Sequence, residues 1–324
     1  MSRRVIHSPH LQVWPGPRIG DVNAELVDLE RFIRARGGVA PLAMLDAAGV
    51  SRVTLRHALA HKRVLPVRRG WYGVPDAPPA VVRAVRVGGA LTASSVARLH
   101  GLWLLDDARL HVRVAGNASR LRSPLDPTLP LDATHGVCVH YREQASGPAD
   151  LPARDSLPRA LAEMFTCGPP LAAVIAIDSA LNLRELTSDG RAQLRALVPA
   201  SKRHLVDGAD AACDSGLETI ARLLPHERRI PYRTQAHIPG VGRVDLLIGD
   251  RLVVELDGAG FHIDSADFAE DRRRGLELVM RGYLVVRLTY RMVVDDWERV
   301  RADLLELVAR GEHRWGARAR ARAR

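Results

Sequence analysis

The stretch that decides the fold of the C-terminal region is RVDLLIGDRLVVELDGAGFH, residues 243–262. It predicts two β-strands joined by a Gly-Asp turn, because runs of Val, Leu and Ile are bounded by turn-forming residues. Three carboxylates interrupt these runs, namely Asp245, Glu255 and Asp257. A carboxylate inside an apolar strand is costly to bury unless it is paired, and carboxylates that converge repel one another. A divalent cation relieves both penalties, so the pattern indicates a site for one.

The length of the connection between the two strands decides whether the carboxylates share a face. A two-residue loop would place Asp245 and Glu255 on opposite faces, whereas a three-residue loop at 249–251 pairs them on one face. We therefore expect an odd-length loop or a bulge, and Asp257 then shares the face because strand side chains alternate. Such a cluster would hold Mg²⁺ or Mn²⁺, which lowers the pKa of a bound water and stabilises charge on a scissile phosphate.

Length and composition set the limits for the rest of the chain. Its 324 residues, 47% of them hydrophobic, are enough for two or three domains with apolar cores. No stretch approaches the roughly 18 consecutive apolar residues of a membrane span, and the N-terminus lacks the apolar region of a signal peptide. We therefore expect a cytoplasmic location and no membrane partner. The three cysteines, at 138, 167 and 213, are scattered, so their spacing predicts neither a disulfide framework nor a zinc knuckle.

Positive charge is concentrated at the N-terminal end. The formal net charge is +10, and residues 1–75 hold 12 Lys or Arg against 5 Asp or Glu, whereas residues 214–324 hold 20 against 18. This asymmetry predicts a surface near the N-terminus that binds a polyanion. The alternative is an arginine-rich composition that reflects the proteome as a whole.

The N-terminal region predicts a small DNA-binding domain. After an irregular arm at 1–20, residues 21–75 suggest three short helices, at 22–36, 41–48 and 52–61, followed by a basic hairpin at 64–74. This order is that of a winged helix-turn-helix, whose third helix enters the major groove. The candidate DNA-binding residues are Arg52, Thr54, Arg56, His57 and Lys62 around the third helix, and Arg68 and Arg69 in the hairpin. The alternative is a small helical domain with a solvated basic face.

Three further segments complete the predicted organisation. Residues 76–210 mix helices and strands without catalytic spacing and are expected to form a middle α/β region. Residues 214–310 predict the order αβββαβα, with a final helix at 293–309, and residues 311–324 are an Arg-rich tail that could contact nucleic acid. The expected fold class is α/β, in the form of an α+β multidomain chain.

Seven short pieces of the C-terminal region form a recognisable combination. They are LE at 217–218, VDL at 244–246, VELDG at 254–258, FH at 261–262, DRRR at 271–274, GY at 282–283 and VRL at 286–288. Together, over residues 215–310, they resemble the DUF559 and very-short-patch-repair (Vsr-like) endonuclease group of the PD-(D/E)xK superfamily. The resemblance implies a restriction-endonuclease-like domain that hydrolyses DNA phosphodiesters with Mg²⁺ or Mn²⁺.

The resemblance also implies roles for individual side chains. Asp245 would be the main metal ligand, and the segment from Glu255 to Asp257 would line the metal. Glu218 would orient a water molecule from the first helix, and His262 would act as general acid or base. The neighbouring Arg272, Arg273 and Arg274 would face backbone phosphates or cap acidic groups. Several of these positions keep a simpler alternative. Glu218 alone could be a solvated helix residue, His262 a capped loop histidine, and the three arginines in part a solvated face.

The chain departs from the superfamily pattern at one position. Asp257 stands where the superfamily usually has a lysine, and the two lysines of the chain, Lys62 and Lys202, both precede the nuclease-like region. Vsr-like members also lack that lysine, so an active nuclease is the leading hypothesis. Two alternatives stay open. One is a nucleic-acid-binding relic that does not cleave, and the other is an unrelated α/β structure with a satisfied carboxylate cluster.

Two N-terminal segments carry a second resemblance. GGVAP at 37–41 through RGWYGV at 69–74, followed by LTASSVARLHG at 91–101, resembles the AbiEi-type antitoxin winged-helix module and the domain after it. The resemblance implies DNA binding, transcriptional autoregulation in a type IV toxin-antitoxin system and a cognate toxin as partner. The alternative function is therefore a regulator or antitoxin whose nuclease fold only binds DNA. A third possibility is a scaffold in a defence system.

Overall fold

The computed structural model describes residues 22–105, 107–142, 151–257 and 265–316. The predicted arm at 1–20, the end of the tail at 317–324 and His262 lie outside the described residues. The chain is a mixed α/β protein with several small sheets and divides into two compact units. Unit 1 comprises Met1–Val96 and Ala108–Ala160, and unit 2 comprises Ala97–Asp107 and Leu161–Arg324. The domain limits that composition suggests stay predictions.

Unit 1 begins with the helices and the hairpin that the sequence predicts. Its first elements are α1 (Val22–Arg34), β1 (Val39–Pro41), α2 (Leu42–Ala47), α3 (Arg52–Ala60), β2 (Leu65–Arg68) and β3 (Trp71–Gly73). The strands form an antiparallel sheet in the order β1-β3-β2. The sequence pattern does not predict β1. Ser51 is the N-cap of α3, and its hydroxyl accepts a 3.0 Å hydrogen bond from the amide of Thr54.

The second half of unit 1 is built around a small mixed sheet. Its elements are α4 (Pro79–Val87), β4 (Ala90–Leu91), α5 (Ala93–Leu99), β5 (Leu110–Ala115), β6 (Val137–Arg142) and α6 (Leu157–Cys167). The strand order is β4-β5-β6, and β5 runs parallel to β6. Buried Val112 and Val114 of β5 belong to the same apolar core as Leu29 and Ile33 of α1. The chain passes into unit 2 within α5 and again within α6.

Unit 2 contains the order that the sequence predicts for its C-terminal part. Its elements are α7 (Pro170–Asn182), α8 (Ser188–Leu197), α9 (Arg203–Asp207), α10 (Gly216–Glu227), β7 (Tyr232–Ile238), β8 (Gly242–Ile248), β9 (Leu252–Asp257), α11 (Ser265–Met280), β10 (Leu284–Thr289), α12 (Tyr290–Val294) and α13 (Trp297–Ala309). The prediction of one last helix at 293–309 is wrong, because α12 and α13 are separate. Asp295 is the C-cap of α12, and Asp296 is the N-cap of α13. Short polar side chains such as aspartate favour cap positions over a helix interior.

The sheet of unit 2 has the strand order β10-β9-β8-β7. Strands β7, β8 and β9 are antiparallel, whereas β9 and β10 are parallel and joined through α11. On one face, Leu246 and Val254 share a core with α10, α12 and α13. On the other face, Leu247 and Val253 pack with Leu278 of α11. Helices therefore cover both faces, which is why the strands are apolar almost throughout.

A buried ion pair anchors the helix that precedes this sheet. Arg222 of α10 and Asp178 of α7 are both fully buried, and Arg222 Nε donates a 3.0 Å hydrogen bond to Asp178 Oδ2. The Thr219 hydroxyl and the amide of Asp210 donate to the same carboxylate, at 2.9 Å each. Removing either charge would leave the other buried without compensation, so the pair holds α10 in one place.

No helix among the described residues has both the length and the hydropathy needed to cross a bilayer.

Candidate active site

Asp245 and Glu255 lie side by side on adjacent antiparallel strands. The β8–β9 pairing begins with Ile248 opposite Leu252, which leaves a three-residue connection at 249–251. The odd-length loop that the face argument predicts is therefore confirmed. The ladder ends with Leu246 opposite Val254, so Asp245 and Glu255 are the next residues on the two strands. The Asp245 carboxylate accepts a 2.8 Å hydrogen bond from the amide of Leu256, the residue after Glu255.

A glycine and the C-terminal segment together shape this connection. Gly249 has φ +65°, and a Cβ there would lie 2.1 Å from the carbonyl oxygen of His313. The amides of Asp250 and Arg251 donate to that same oxygen, at 3.0 and 3.2 Å. The amide of Trp315 in turn donates a 2.8 Å hydrogen bond to the Asp250 carboxylate. The three-residue loop is thus held by residues about sixty positions later, and through it the register of the carboxylates is held too.

Burial raises the pKa of both carboxyls in the pair. The pKa of Glu255 rises to about 7, first because of burial and then because of the negative charge of Asp245. Burial also raises the pKa of Asp245, against hydrogen bonds from the Leu256 amide, at 2.8 Å, and from Glu255. A carboxyl that hydrogen-bonds to a carboxylate carries a proton. The pair is therefore a place where a proton or a cation must compensate charge, and its oxygen donors fit Mg²⁺ or Mn²⁺.

Glu218 is buried at the start of α10 and close to the pair. It is 5% exposed, so the alternative of a solvated helix residue does not hold. Its carboxylate accepts hydrogen bonds from the amide of Asp214 at 3.1 Å and the hydroxyl of Ser215 at 3.0 Å. Burial is the largest cause of its raised pKa, and the negative charge of Asp245 contributes. Part of its role is to cap α10, because Ser215 is the N-cap residue and Glu218 lies three positions later.

Gln235 is a site residue that the sequence did not reveal. It lies in β7 between Thr234 and Ala236, whose ladder partners flank Asp245. Its Nε2 donates a 2.7 Å hydrogen bond to Glu218 Oε2, and its side chain also bonds to Asp245, which lowers the pKa of that carboxyl. A single amide therefore bridges the helix carboxylate and the strand carboxylate. A glutamine in a strand is ordinary, so no sequence signal marks it.

Two arginines supply the positive charge near the pair. Arg287 is the β10 neighbour of Glu255 and forms an ion pair with Asp271 of α11 at 2.8 Å. Arg274 of α11 donates to the carbonyl of Val241 at 3.2 Å. Both guanidinium groups lower the pKa of Glu255. Arg274 and Arg287 are therefore cations near the carboxyl pair, and the sequence after Lys202 contains no lysine.

The remaining predicted site residues of unit 2 have different surroundings. Asp257 ends β9 two residues after Glu255 and is exposed, and among the described residues its carboxylate does not form a close group of metal ligands with those of Asp245 and Glu255. Arg272 is exposed, and Arg273 forms an exposed ion pair with Glu270 at 2.7 Å. His262 lies outside the described residues. These assignments stay predictions.

The candidate DNA-binding residues of unit 1 divide by exposure. Exposed positions on or just after α3 are Arg52, Arg56 and Lys62, and Arg69 is exposed in the hairpin. Arg52 is also ion-paired with Asp46 at 2.8 Å, and His57 is half-buried.

Two other predicted contacts face the protein. Thr54 is buried, and its hydroxyl donates a 2.8 Å hydrogen bond to Glu25, so it has no free group for DNA. The guanidinium of Arg68 covers Gly88, where an added Cβ would lie 2.2 Å from its Nη1. Thr54 faces inward because it occupies the third helical position after Ser51, on the side of α3 that packs toward α1.

Comparisons with known proteins return little. No family model matches the chain, and no curated protein matches it. Among solved structures, the catalytic domain of the homing endonuclease I-Bth0305I is similar at 22% sequence identity and a TM-score of 0.25. The similar region covers 29% of this chain and 94% of that domain.

Proposed function

We propose that unit 2 is a metal-dependent endodeoxyribonuclease, in which Asp245 and Glu255 hold Mg²⁺ or Mn²⁺ and a DNA phosphodiester is the substrate. The observation that carries this proposal is the buried pair of carboxyls next to the end of the β8–β9 ladder. Two carboxylates brought together in an apolar sheet destabilise the fold, so their presence there argues for a ligand that needs them. Held there, a divalent ion supplies Lewis acidity at a scissile phosphate and lowers the pKa of a water molecule.

The other side chains have supporting roles in this proposal. Glu218, positioned by Gln235, orients the attacking water from the α10 side. Asp257, at the exposed end of β9, lines the metal toward the substrate. Arg274 offsets the negative charge of the pair. His262 is proposed as general acid or base on the basis of its spacing from Asp257.

For unit 1 we propose a winged helix-turn-helix that binds DNA through α3. The exposed side chains of Arg56, Lys62 and Arg69 would contact phosphates or base edges. Helix α3 is short and exposed on one side, and the hairpin β2–β3 follows it directly. Arg52 would contribute once its ion pair with Asp46 opens, and His57 would lie at the edge of this surface.

A second candidate function is a transcriptional regulator or antitoxin that binds DNA without cleaving it. Two observations favour it. The chain has no lysine after Lys202, and the basic face of α3 is exposed. In this case the carboxylate pair would be retained from a nuclease, and a cognate toxin protein would be a further partner.

Plasmid cleavage by the purified chain separates these functions. The protein is incubated with supercoiled DNA and Mg²⁺ or Mn²⁺, beside the Asp245→Asn and Glu255→Gln variants. The matched control is Asp303→Asn, which changes an exposed carboxylate on α13. We expect nicking or linearisation by the parent and the control, and none by the two site variants.

Two other outcomes of this experiment would contradict the nuclease proposal. If neither metal supports cleavage while DNA binding is the same in all four proteins, the carboxylate pair is not a catalytic site. A footprint at a defined DNA sequence would then favour the regulator. Cleavage that persists in Asp245→Asn would show that another site performs it.

A further inference from the structure

Unit 1 contains a cluster of metal-ligating side chains that the proposed nuclease does not use. His111 lies on β5, and Cys138 and His140 lie on β6. In the parallel register His111 is directly beside Cys138, and His140 is two residues further along the same strand. Because strand side chains alternate, all three project from one face of the sheet.

The ligand atoms of this cluster are already close together. One nitrogen from each histidine and the Cys138 sulfur lie within 4.8 Å of one another. His111 Nδ1 and His140 Nε2 are 3.1 Å apart. Two nitrogens bound to one tetrahedral ion at about 2.0–2.1 Å are separated by about 3.3–3.4 Å. The histidine pair is therefore spaced almost as it would be on a metal.

The side chains of this cluster are mostly buried, unlike a group of side chains that meet by chance on the surface. His111 and His140 are 1% and 5% exposed, and Cys138 is half-buried. The amide of His111 donates a 2.9 Å hydrogen bond to the Ser95 hydroxyl, which fixes the backbone at the first ligand. The 3.1 Å contact between the two imidazoles is also a hydrogen-bond distance, so they share either one proton or one ion.

From this geometry we propose that His111, Cys138 and His140 bind Zn²⁺. A thiolate with two imidazoles is a typical ligand set for zinc, whereas Mg²⁺ and Mn²⁺ prefer oxygen. A fourth ligand, from water or another side chain, completes the tetrahedron. The site is separate from the carboxylate pair in residues and in the chemistry of its donors.

The zinc ion has a structural role in this proposal. Strands β5 and β6 are parallel, and residues 116–136 connect them without an α-helix, although parallel strands are usually joined through one. An ion held by one ligand from β5 and two from β6 cross-links the strands across this irregular connection. Metal binding then contributes directly to the stability of the folded unit.

The spacing of the cysteines could not reveal this site. A zinc knuckle is recognised by cysteines two or three residues apart, and here the ligands come from two strands separated by 21 connecting residues, 116–136. The local signal is the Cys-x-His pair at 138 and 140 on one strand face. It becomes specific only when the sheet places His111 beside it.

The test uses the full-length protein and two metals. Protein purified without chelators is analysed for zinc, and the metal-free protein is titrated with Co²⁺, which reports a thiolate ligand by an intense charge-transfer band in the near ultraviolet. We expect about one zinc per chain and a Co²⁺ spectrum with this band. The variants His111→Ala and His140→Ala should each lose most of the bound metal and the band.

Matched controls separate the site from the other thiols, histidines and carboxylates. Cys213→Ser removes a buried thiol of unit 2, and His61→Gln removes an exposed histidine beside α3. Both should keep the zinc and the cobalt band, as should the Asp245→Asn variant. Circular dichroism on each protein reports whether it is folded, and chelation of the parent should lower its melting temperature.

Two results would overturn the proposal. One is a parent protein, folded and free of chelator, that binds neither metal above the level of a thiol-free control protein. This result does not depend on any variant folding. The other is a cobalt band that persists in folded His111→Ala and His140→Ala proteins, which would assign the metal ligands elsewhere. Neither result affects the nuclease proposal, whose readout is DNA cleavage.

Discussion

Gln235 donates a 2.7 Å hydrogen bond to the carboxylate of Glu218, although its own backbone has a left-handed φ of +47°. A non-glycine residue in that conformation costs about 1–3 kcal/mol and is found where the surrounding structure holds it in place. The distortion occurs in β7 opposite Asp245, where the flanking residues Thr234 and Ala236 pair regularly with β8. The strained residue thus joins two carboxylates of the candidate active site.

Replacing this amide should impair catalysis more than folding. In Gln235→Leu the side chain keeps its bulk but can no longer donate to Glu218 or bond to Asp245. We expect metal-dependent cleavage to fall by about 10–100-fold, as is typical when a group that orients metal ligands is lost. Single-turnover cleavage rates measure the effect, with Gln193→Leu on the exposed side of α8 as control. An unchanged cleavage rate in Gln235→Leu would show that Gln235 has only a structural role.

Metal affinity should rise with pH up to neutrality. The pKa of Glu255 is about 7, and a metal must displace its proton to bind. Below pH 7 the apparent association constant for Mn²⁺ should therefore increase by about tenfold per pH unit, and it should level off above. Calorimetric titrations from pH 5.5 to 8, in two buffers with different ionisation enthalpies, measure affinity and proton release together. Glu255→Gln should weaken binding and remove the proton release.

Removing the charge of Glu255 should stabilise the metal-free protein at alkaline pH. The folded pKa, about 7, lies above the ordinary value of 4.5. As pH rises, Glu255 therefore loses its proton at a lower pH in the unfolded chain than in the folded protein. The free energy of unfolding falls between pH 4.5 and 7 and stays low at higher pH. Relative to the parent, Glu255→Gln should gain on the order of 2 kcal/mol at pH 8 and nothing near pH 4. Denaturant unfolding with a chelator present measures this, and a loss of stability at pH 8 would contradict it.

The loop between β8 and β9 should tolerate no side chain at its first position. Gly249→Ala places a Cβ against the carbonyl oxygen of His313 and also strains a φ of +65°. We expect a loss of more than about 3 kcal/mol in the free energy of unfolding, because steric overlap adds to the backbone cost. Gly311→Ala is the control, since Gly311 has φ +78° and open space around it. That change should cost about 1 kcal/mol. Equal effects would show that the close approach to His313 is unimportant.

DNA binding by unit 1 should be electrostatic and centred on α3. Each lysine or arginine that neutralises a phosphate contributes about one to the slope of log affinity against log salt concentration. Arg56→Gln and Lys62→Gln should each reduce that slope by about one. Arg31→Gln, which removes an exposed charge on α1 paired with Asp28, should leave it unchanged. Fluorescence anisotropy with a labelled duplex at several salt concentrations measures the slopes, and three equal slopes would place the DNA-binding surface elsewhere.

Much of the local structure follows from sequence patterns. The Val and Leu runs on either side of Gly249 specify β8 and β9, and the requirement that Asp245 and Glu255 share a face specifies the odd-length loop between them. The helices of unit 1 follow from their spacing of apolar residues and from the N-cap at Ser51. These features are predictable because hydrogen bonds and side-chain alternation within one or two elements decide them.

Errors and omissions arise where distant segments meet. The sequence predicts that Thr54 faces DNA, but its hydroxyl donates a hydrogen bond to Glu25 of another helix. The sequence also predicts that Arg68 lies on the hairpin surface, but its guanidinium covers Gly88. Gln235 has no distinctive neighbours in sequence and gains its role only by standing opposite Asp245. In each case the partner lies on another element, and pattern analysis does not pair elements.

By itself, the sequence determined which segments form strands and helices, where charge collects, and that carboxylates would interrupt an apolar sheet. Those properties depend on residue type and on spacing over a few positions. The tertiary structure decided which groups meet, such as Gln235 with Glu218 and Asp245, and His111 with Cys138 and His140. Side chains from separate elements meet only after burial of the sheet faces has set the strand register and the helix packing. That burial involves residues distributed along the whole chain, so spacing within one element does not predict it.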